Sequence, residues 1–354
     1  MPLRLVMFGT GDFAVPTLAG LLAGPHQLLA LYTQPERTGA GHHQHGFAKI
    51  KQLALDHGVT VHQPESVNDP AALDELRRYE ADVFIVAAYG QILSRDFLAI
   101  PKRGSFNVHA SLLPKYRGAS PINHAIWLGD EETGVTIIAV VPALDAGTMF
   151  AKAAIPILPT DTTATLEPKL AALGPDLVHD VLARLEAGTL TGEEQDPALV
   201  SRAPKLRKTM GQIDWSQTTR QIDCQVRALQ PWPVAFTYIP RPGKPSTRIL
   251  VLDVQAVTGP SVGQAVPDTS GSTHPSPRQA QPDLQVTQAN TPHSPPPLPG
   301  TVLDLGKHRL VIQTADGALE ITRLQPEGKR EMPTADFLRG TPVPAGTVLM
   351  ANPT

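Results

Sequence analysis

Apolar residues recur in short β-rich runs at residues 3–8, 28–33, 83–87 and 105–109, and the intervening segments 13–22, 47–57 and 71–78 repeat their apolar positions at helical period. Strands alternating with helices in this way predict a parallel sheet. Past an apolar helix over 122–128, residues 135–142 and 148–157 read as two strands joined by the turn-rich 143–147, a hairpin at the sheet edge. Residues 163–186 place Leu166, Leu170, Leu173, Leu177, Val178, Val181, Leu182 and Leu185 on one helical face, across an interruption at Gly174-Pro175. This helix is expected to close a first domain.

The pattern then changes. Residues 188–210 are polar and broken by Gly and Pro, which marks a linker, and 217–229 read as a helix. The strands expected beyond it, 249–257, 300–305, 310–313 and 319–324, are short and separated by turn residues, as in a small closed barrel. Residues 258–299 hold 10 prolines among many Ser, Thr and Gln, a composition that cannot bury enough surface to fold, so a disordered insertion is expected there. The fold class is therefore α/β: a Rossmann-like, mostly parallel sheet domain over 1–187, then a small C-terminal, OB-like β-barrel domain over 211–354.

Composition narrows the function classes. With 354 residues, 41% hydrophobic and 18% charged, the chain reads as a soluble globular protein of two domains. No apolar run approaches a membrane span, and neither a basic leader nor a cleavage site opens the chain; a cytoplasmic location is expected. The single Cys224 has no internal disulfide partner and reads as a buried helix residue. Charge is uneven: residues 1–200 carry 14 Lys/Arg against 22 Asp/Glu, whereas 201–354 carry 16 against 11. The positive balance of the second half suits a polyanionic partner such as nucleic acid.

The densest chemistry lies in Asn107-Val108-His109-Ala110-Ser111-Leu112-Leu113-Pro114, where a predicted strand gives way to an irregular turn. Open α/β sheets bind ligands at such carboxyl ends. Residues two apart on a strand share a face, so the Asn107 amide and the His109 imidazole can converge on one small group and donate to a developing oxyanion. Asp145, in the hairpin turn, is the natural third member, fixing the His109 tautomer, favouring its charged form and helping to take a proton. Read singly, each of the three is also an ordinary turn or cap residue.

Asn107-x-His109 with Ser111-Leu112-Leu113-Pro114, Tyr116-Arg117-Gly118-Ala119, Pro121-Ile122 and Asp145-x-Gly147-x-Met149 resembles the signature of the folate-dependent formyltransferases. The resemblance implies catalysis by Asn107, His109 and Asp145 without a metal, and 10-formyltetrahydrofolate as formyl donor. It implies folate contacts at Ser111, Leu112, Leu113 and Pro114, with the pteridine against Tyr89, Gly90, Gln91, Ile92 and Leu93 and against the 140–145 loop.

The acceptor is suggested by further matches. Phe8-Gly9-Thr10-Gly11-Asp12-Phe13-Ala14-Val15-Pro16, Ile213-Asp214-Trp215, Arg227-Ala228-Leu229-x-Pro231-Trp232-Pro233, Leu324-Gln325-Pro326-Glu327-Gly328-Lys329-Arg330-x-Met332 and Asp336-Phe337-Leu338-x-Gly340 resemble those family members whose acceptor is initiator methionyl-tRNA. A monomer in which the C-terminal barrel holds the tRNA is the expectation. Arg37, Lys49, Lys51, Lys205, Arg207, Lys208, Arg248, Lys307, Arg309, Arg323, Lys329 and Arg330 are the candidates to meet phosphates. The loop after the second strand departs from the basic pattern of the family, with Gly39, Gly41, His42, His43 and His45 where Arg and Lys are usual; this implies a weaker or pH-dependent tRNA contact. Those histidines lack nearby Cys or acidic partners, which argues against a metal site.

Two other classes compete. Gly9-Thr10-Gly11-Asp12-Phe13-Ala14 matches the loose dinucleotide fingerprint, but Leu31-Tyr32-Thr33 offers no acidic residue for a ribose before Glu36. A non-catalytic RNA-binding module would leave Asn107, His109 and Asp145 without a purpose.

Overall fold

The computed structural model describes residues 1–35, 43–257 and 297–350, with backbone alone over 43–47. Arg37, His42, the side chains of His43 and His45, and nearly all of the proline-rich stretch lie outside the described residues. The first half runs β1 (Arg4–Gly9), α1 (Ala14–Ala23), β2 (Gln27–Tyr32), α2 (His43–Asp56), β3 (Thr60–His62), α3 (Pro70–Arg78), β4 (Val83–Ala87), α4 (Arg95–Leu98) and β5 (Ser105–His109). It continues through β6 (Arg117–Gly118), α5 (Pro121–Trp127), β7 (Glu132–Ala139), β8 (Met149–Pro156), α6 (Thr163–Ala171), α7 (Gly174–Glu186) and β9 (Arg202–Ala203).

Seven of these strands form one sheet in the order β3-β2-β1-β4-β5-β7-β8. The first five run parallel, and the β7–β8 hairpin lies antiparallel at the edge. Strand alternation explains how both faces are filled. Leu5, Met7, Leu31, Ile85, Phe106 and Val108 join the core beneath α1 and α7. Val6, Phe8, Tyr32, Phe84 and Val86 face the other way, where Phe8 packs with ring centroids 5.1 Å from Tyr32, 4.9 Å from Phe84 and 4.8 Å from Phe97. Phe8 is fully buried, which contributes about 2 kcal/mol. The chain reverses between β1 and β4, the switch point at which open sheets of this kind bind ligands.

The long helix expected over 163–186 is two: α6 ends at Ala171, and Pro175 sits in the first turn of α7, where its missing N–H costs no helix bond. The hairpin strands also shift. β7 spans Glu132–Ala139, so residues 140–142 belong to the loop that follows.

The second half comprises α8 (Thr219–Ala228), β10 (Ala235–Arg241), β11 (Lys244–Ala256), β12 (Val302–Leu303), β13 (Leu310–Gln313), β14 (Ala318–Pro326), β15 (Met332–Pro333) and α9 (Thr334–Gly340). The antiparallel order is β10-β11-β14-β13-β12, with β15 on β14. The sheet alone is an open half-barrel. Residues 346–350 reach both edges: Tyr238 on β10 and Met350 exchange backbone hydrogen bonds of 3.0 and 2.9 Å, while the Val302 N–H on β12 donates to the Thr347 carbonyl at 2.8 Å. Inside lie Trp215, Ile239, Ile249, Val251, Leu310, Ile312, Ile321 and Leu324.

α8 fastens the two halves. Its cap is reciprocal, the Thr218 hydroxyl accepting from the Gln221 N–H while the Gln221 side chain returns to the Thr218 N–H. At its other end the Ala228 carbonyl accepts from Asn123 Nδ2 and Thr163 Oγ1, each at 2.7 Å, and Arg227 Nη1 donates to the Asp161 carbonyl at 2.9 Å. Among the described residues no helix is long and apolar enough to cross a membrane.

Candidate active site

The alternation that sends Phe106 and Val108 into the core leaves Asn107 and His109 on the opposite face of β5, at its carboxyl end. His109 is only 5% exposed. Its Nε2 lies 2.9 Å from the Tyr116 carbonyl oxygen, and because a carbonyl can only accept, Nε2 carries a proton. The other nitrogen, Nδ1, faces Asp145 Oδ1 at 3.7 Å, beyond hydrogen-bond range. Asn107 is half-buried, and its amide makes no hydrogen bond among the described residues. One strand end thus presents an uncommitted amide, an oriented imidazole and a carboxylate in the next loop.

Asp145 is placed by backbone. Its own φ is 49°, in the left-handed region that an aspartate tolerates better than most residues. Its Oδ2 accepts the Gly118 N–H at 2.9 Å. Gly118 has φ 129°, and a Cβ there would collide with the Ala203 carbonyl oxygen, so no other residue fits where β6 pairs with β9.

The predicted folate contacts divide. Ser111 is fully buried, its hydroxyl donating to the Lys115 carbonyl at 2.7 Å, and its own carbonyl accepts Thr136 Oγ1 at 2.7 Å. Leu113 is buried against Ile138 and Met149. The side chains of both therefore build the turn, while Leu112 and Pro114 are half-buried and reach its surface. In the loop after β4, Tyr89 is buried edge-on to Phe8, and burial pushes its phenol well above the ordinary range. Gln91 is committed to the backbone, accepting the Val67 N–H at 2.7 Å and donating to the Pro64 and Glu65 carbonyls at 3.3 Å. Gly90 is exposed and Leu93 half-buried. Ile92 is 88% exposed, and Leu144 on the β7–β8 loop 69%. Large apolar side chains held in the open on two loops suit a flat, partly apolar ligand.

The candidate cations divide as well. Lys49, Lys205, Arg207, Lys208, Lys307, Lys329 and Arg330 are exposed and have no ion pair among the described residues. Arg248 lies over the Phe236 ring, 4.0 Å from its centroid, and 3.7 Å from Glu327. Arg309 pairs with Glu320 at 2.5 Å and Arg323 with Glu331 at 2.8 Å. No group of three His, Cys, Asp or Glu side chains among the described residues is arranged to hold a metal ion.

Residues that sequence reasoning passed over surround the three. Tyr116, whose carbonyl orients His109, has φ 66°, its N–H bonded to Ser201 Oγ at 2.9 Å and its hydroxyl to Asp130 at 2.8 Å. Gln195, 8% exposed, bonds to the loop of Asp145. Tyr116 and Gly118 stand inside a motif already noted; Gln195 and Ser201 carry no local signal.

Known proteins resemble the chain over both of its halves. Residues 3–182 match the formyl transferase family, and residues 205–342 match the C-terminal domain of formyl transferases. The methionyl-tRNA formyltransferase of Pseudoalteromonas translucida is 38% identical over 353 residues, covering 99% of this chain and 98% of that protein. That of Hydrogenovibrio crunogenus is 38% identical over 337 residues, covering 95% of each. The solved N-formyltransferase of Helicobacter canadensis, in complex with folinic acid and dTDP-3-aminofucose, shares the fold with a TM-score of 0.61 at 17% identity, covering 91% of this chain and 99% of that one.

Proposed function

From a chain that belongs to the formyl transferase family over both of its halves, we infer the transfer of a formyl group from 10-formyltetrahydrofolate to the free amino group of methionyl initiator tRNA. The observation that carries the chemistry is the buried His109, held between the Tyr116 carbonyl and the Asp145 carboxylate beside an unbonded Asn107 amide. The acceptor follows from two observations: relatives named for methionyl-tRNA match 99% and 95% of the chain, and the barrel surface and the segment leading to it carry cations with no ion pair among the described residues. We assign catalysis to residues 1–187, connection to 188–210 and tRNA holding to 211–354.

In the reaction, the neutral amine attacks the formyl carbon and a new N–C bond forms. Charge grows on the carbonyl oxygen, where the Asn107 amide and the His109 imidazole stabilise it. Asp145 is the nearest counter-charge for that ring and takes the proton that the attacking nitrogen sheds. Collapse of the tetrahedral intermediate breaks the bond from carbon to N10 of the folate, and N10 leaves with the proton. No acyl-enzyme is involved: the Ser111 hydroxyl is bonded to the Lys115 carbonyl, and Cys224 is buried on α8, where burial pushes its thiol up. The folate lies across Leu112, Pro114 and the loops carrying Ile92 and Leu144, with Ser111, Leu113, Tyr89, Gly90, Gln91 and Leu93 shaping that surface.

The test offers formylated folate with charged initiator tRNA, elongator tRNA and a nucleotide amino-sugar as competing acceptors. Formylation of the initiator tRNA in preference to the other two is expected. Preference for the amino-sugar would overturn the acceptor assignment.

A further inference from the structure

The polar segment expected to be a mere linker lies against the active site. Glu193 forms an isolated bridge with Met149 at the start of β8, and β9 pairs with β6. Between these anchors Gln195 is buried, and its amide is fully used: Nε2 donates to the Asp145 and Gly147 carbonyls, each at 2.8 Å, and Oε1 accepts from Arg117 Nε at 2.9 Å. Two carbonyl acceptors on one side and a guanidinium donor on the other allow a single orientation of that amide. It bridges the loop of Asp145 to the strand whose Gly118 N–H holds the Asp145 carboxylate.

Ser201 acts on the other side of the ring. Its hydroxyl accepts the Tyr116 N–H at 2.9 Å, and the Arg117 N–H donates to its carbonyl at 2.9 Å. Tyr116 is held at φ 66°, a conformation costly for a tyrosine unless its surroundings impose it, and in that conformation its carbonyl reaches His109 Nε2. The two oxygen acceptors facing His109 are therefore each secured by one residue of the connecting segment.

We propose that Gln195 and Ser201 are positioning residues for formyl transfer, bracing the Asp145 and Tyr116 acceptors that orient His109. This rests on the assignment of His109 and Asp145 to catalysis. The same stretch of chain runs on into Lys205, Arg207 and Lys208, so the brace is continuous with three of the cations offered as candidates to meet phosphates.

The full chain carrying Gln195→Met, Gln195→Glu, Ser201→Ala or Ser201→Thr is compared with the parent for kcat, for KM toward each substrate, for the pH profile of kcat and for thermal unfolding. Gln195→Met keeps the volume and loses all three bonds; Gln195→Glu keeps the acceptor for Arg117 but sets an oxygen against two carbonyls. Both are expected to lower kcat by about a hundred-fold and to move its pH profile, with KM little changed, because displacement near the reacting groups acts on the chemical step. Ser201→Ala should lower kcat, and Ser201→Thr, which keeps the hydroxyl, should recover most of it. An unchanged kcat and pH profile in Gln195→Met, a loss accounted for by the unfolded fraction, or equal loss in both Ser201 variants would overturn the proposal. His109→Asn in parallel separates the two levels: full turnover in that variant defeats the catalytic assignment, whereas its loss beside intact Gln195 variants defeats the brace alone.

Discussion

The carboxyl end of the first sheet and the outer surface of the barrel both carry polar groups to which we assign function, and they hold them in opposite ways. Around His109 most of the polar atoms are buried or half-buried and bonded to one another, Nε2 to Tyr116, Asp145 to Gly118, Gln195 to Asp145 and Arg117, with the Asn107 amide left free of such bonds among the described residues. On the barrel and the segment leading to it most of the cations stand in solvent, Arg248 lies over the Phe236 ring, and Arg309 and Arg323 already have carboxylate partners. A buried group works through a direction that only a few neighbours define, at a dielectric where each interaction is strong. An exposed cation works through its charge, which salt screens and neighbours share. Loss of function should therefore be concentrated in the first region and diluted in the second.

The largest effect is expected at Asn107, whose amide has no hydrogen bond among the described residues to lose. Asn107→Ala should lower kcat by about 10²–10³, the usual consequence of removing one oxyanion donor, while tRNA affinity and thermal stability stay close to those of the parent. Steady-state kinetics with a parallel tRNA-binding measurement checks this. Unchanged turnover would weaken the contrast between the regions, since Asn107 would then drop out of the groups whose direction matters to the chemical step.

Next in size is Gly118→Ala. The added Cβ meets the Ala203 carbonyl, and the φ of 129° is strained for any residue with a side chain. About 1–3 kcal/mol of backbone strain should lower the unfolding temperature, and displacement of the Gly118 N–H releases Asp145. Calorimetry and kcat together should show both losses. Gly328→Ala, at a positive-φ turn in the barrel with open space around the Cβ, provides the comparison: it should cost some stability and leave kcat alone.

How much of this was legible beforehand follows the same division between local pattern and remote contact. β4 and β5 were readable residue for residue, β4 as the unbroken apolar run of a buried parallel strand and β5 by its alternation of Phe106 and Val108 with Ser105, Asn107 and His109. β3 was not, since Thr60–His62 is too short to show a period. Closure of the barrel was expected from strand spacing, but its agent, residues 346–350, joins the edges through backbone hydrogen bonds that leave no side-chain pattern. In the site, Asn107, His109 and Asp145 stood out by residue chemistry and by likeness to a family. Gln195 and Ser201 did not: each meets its partners far along the chain, and an isolated Gln or Ser in a polar stretch looks like solvent-facing surface. Ser111 and Leu113 present the reverse case: their motif is conspicuous, and their side chains serve the turn.

The smallest effects per residue are expected among the cations, and they sharpen the comparison most. Lys205, Arg207 and Lys208 are exposed without an ion pair among the described residues, whereas Arg309 is held by Glu320, which raises its pKa through a hydrogen bond and charge. A free cation that meets a phosphate releases a counterion on binding, so each removal should flatten the logarithmic salt dependence of tRNA affinity by about 1, similarly for initiator and elongator tRNA. The combined Lys205→Ala, Arg207→Ala and Lys208→Ala variant should therefore lose affinity at low salt and converge toward the parent at high salt, with kcat at saturating tRNA retained. Arg309→Ala should barely alter the slope, because the charge it removes is already balanced by Glu320. If Arg309→Ala flattens the slope as much as the combined variant does, the tRNA does not distinguish paired from unpaired cations. The phosphate path would then have to be drawn across the face of β13 and β14 rather than along the segment that leaves the active site.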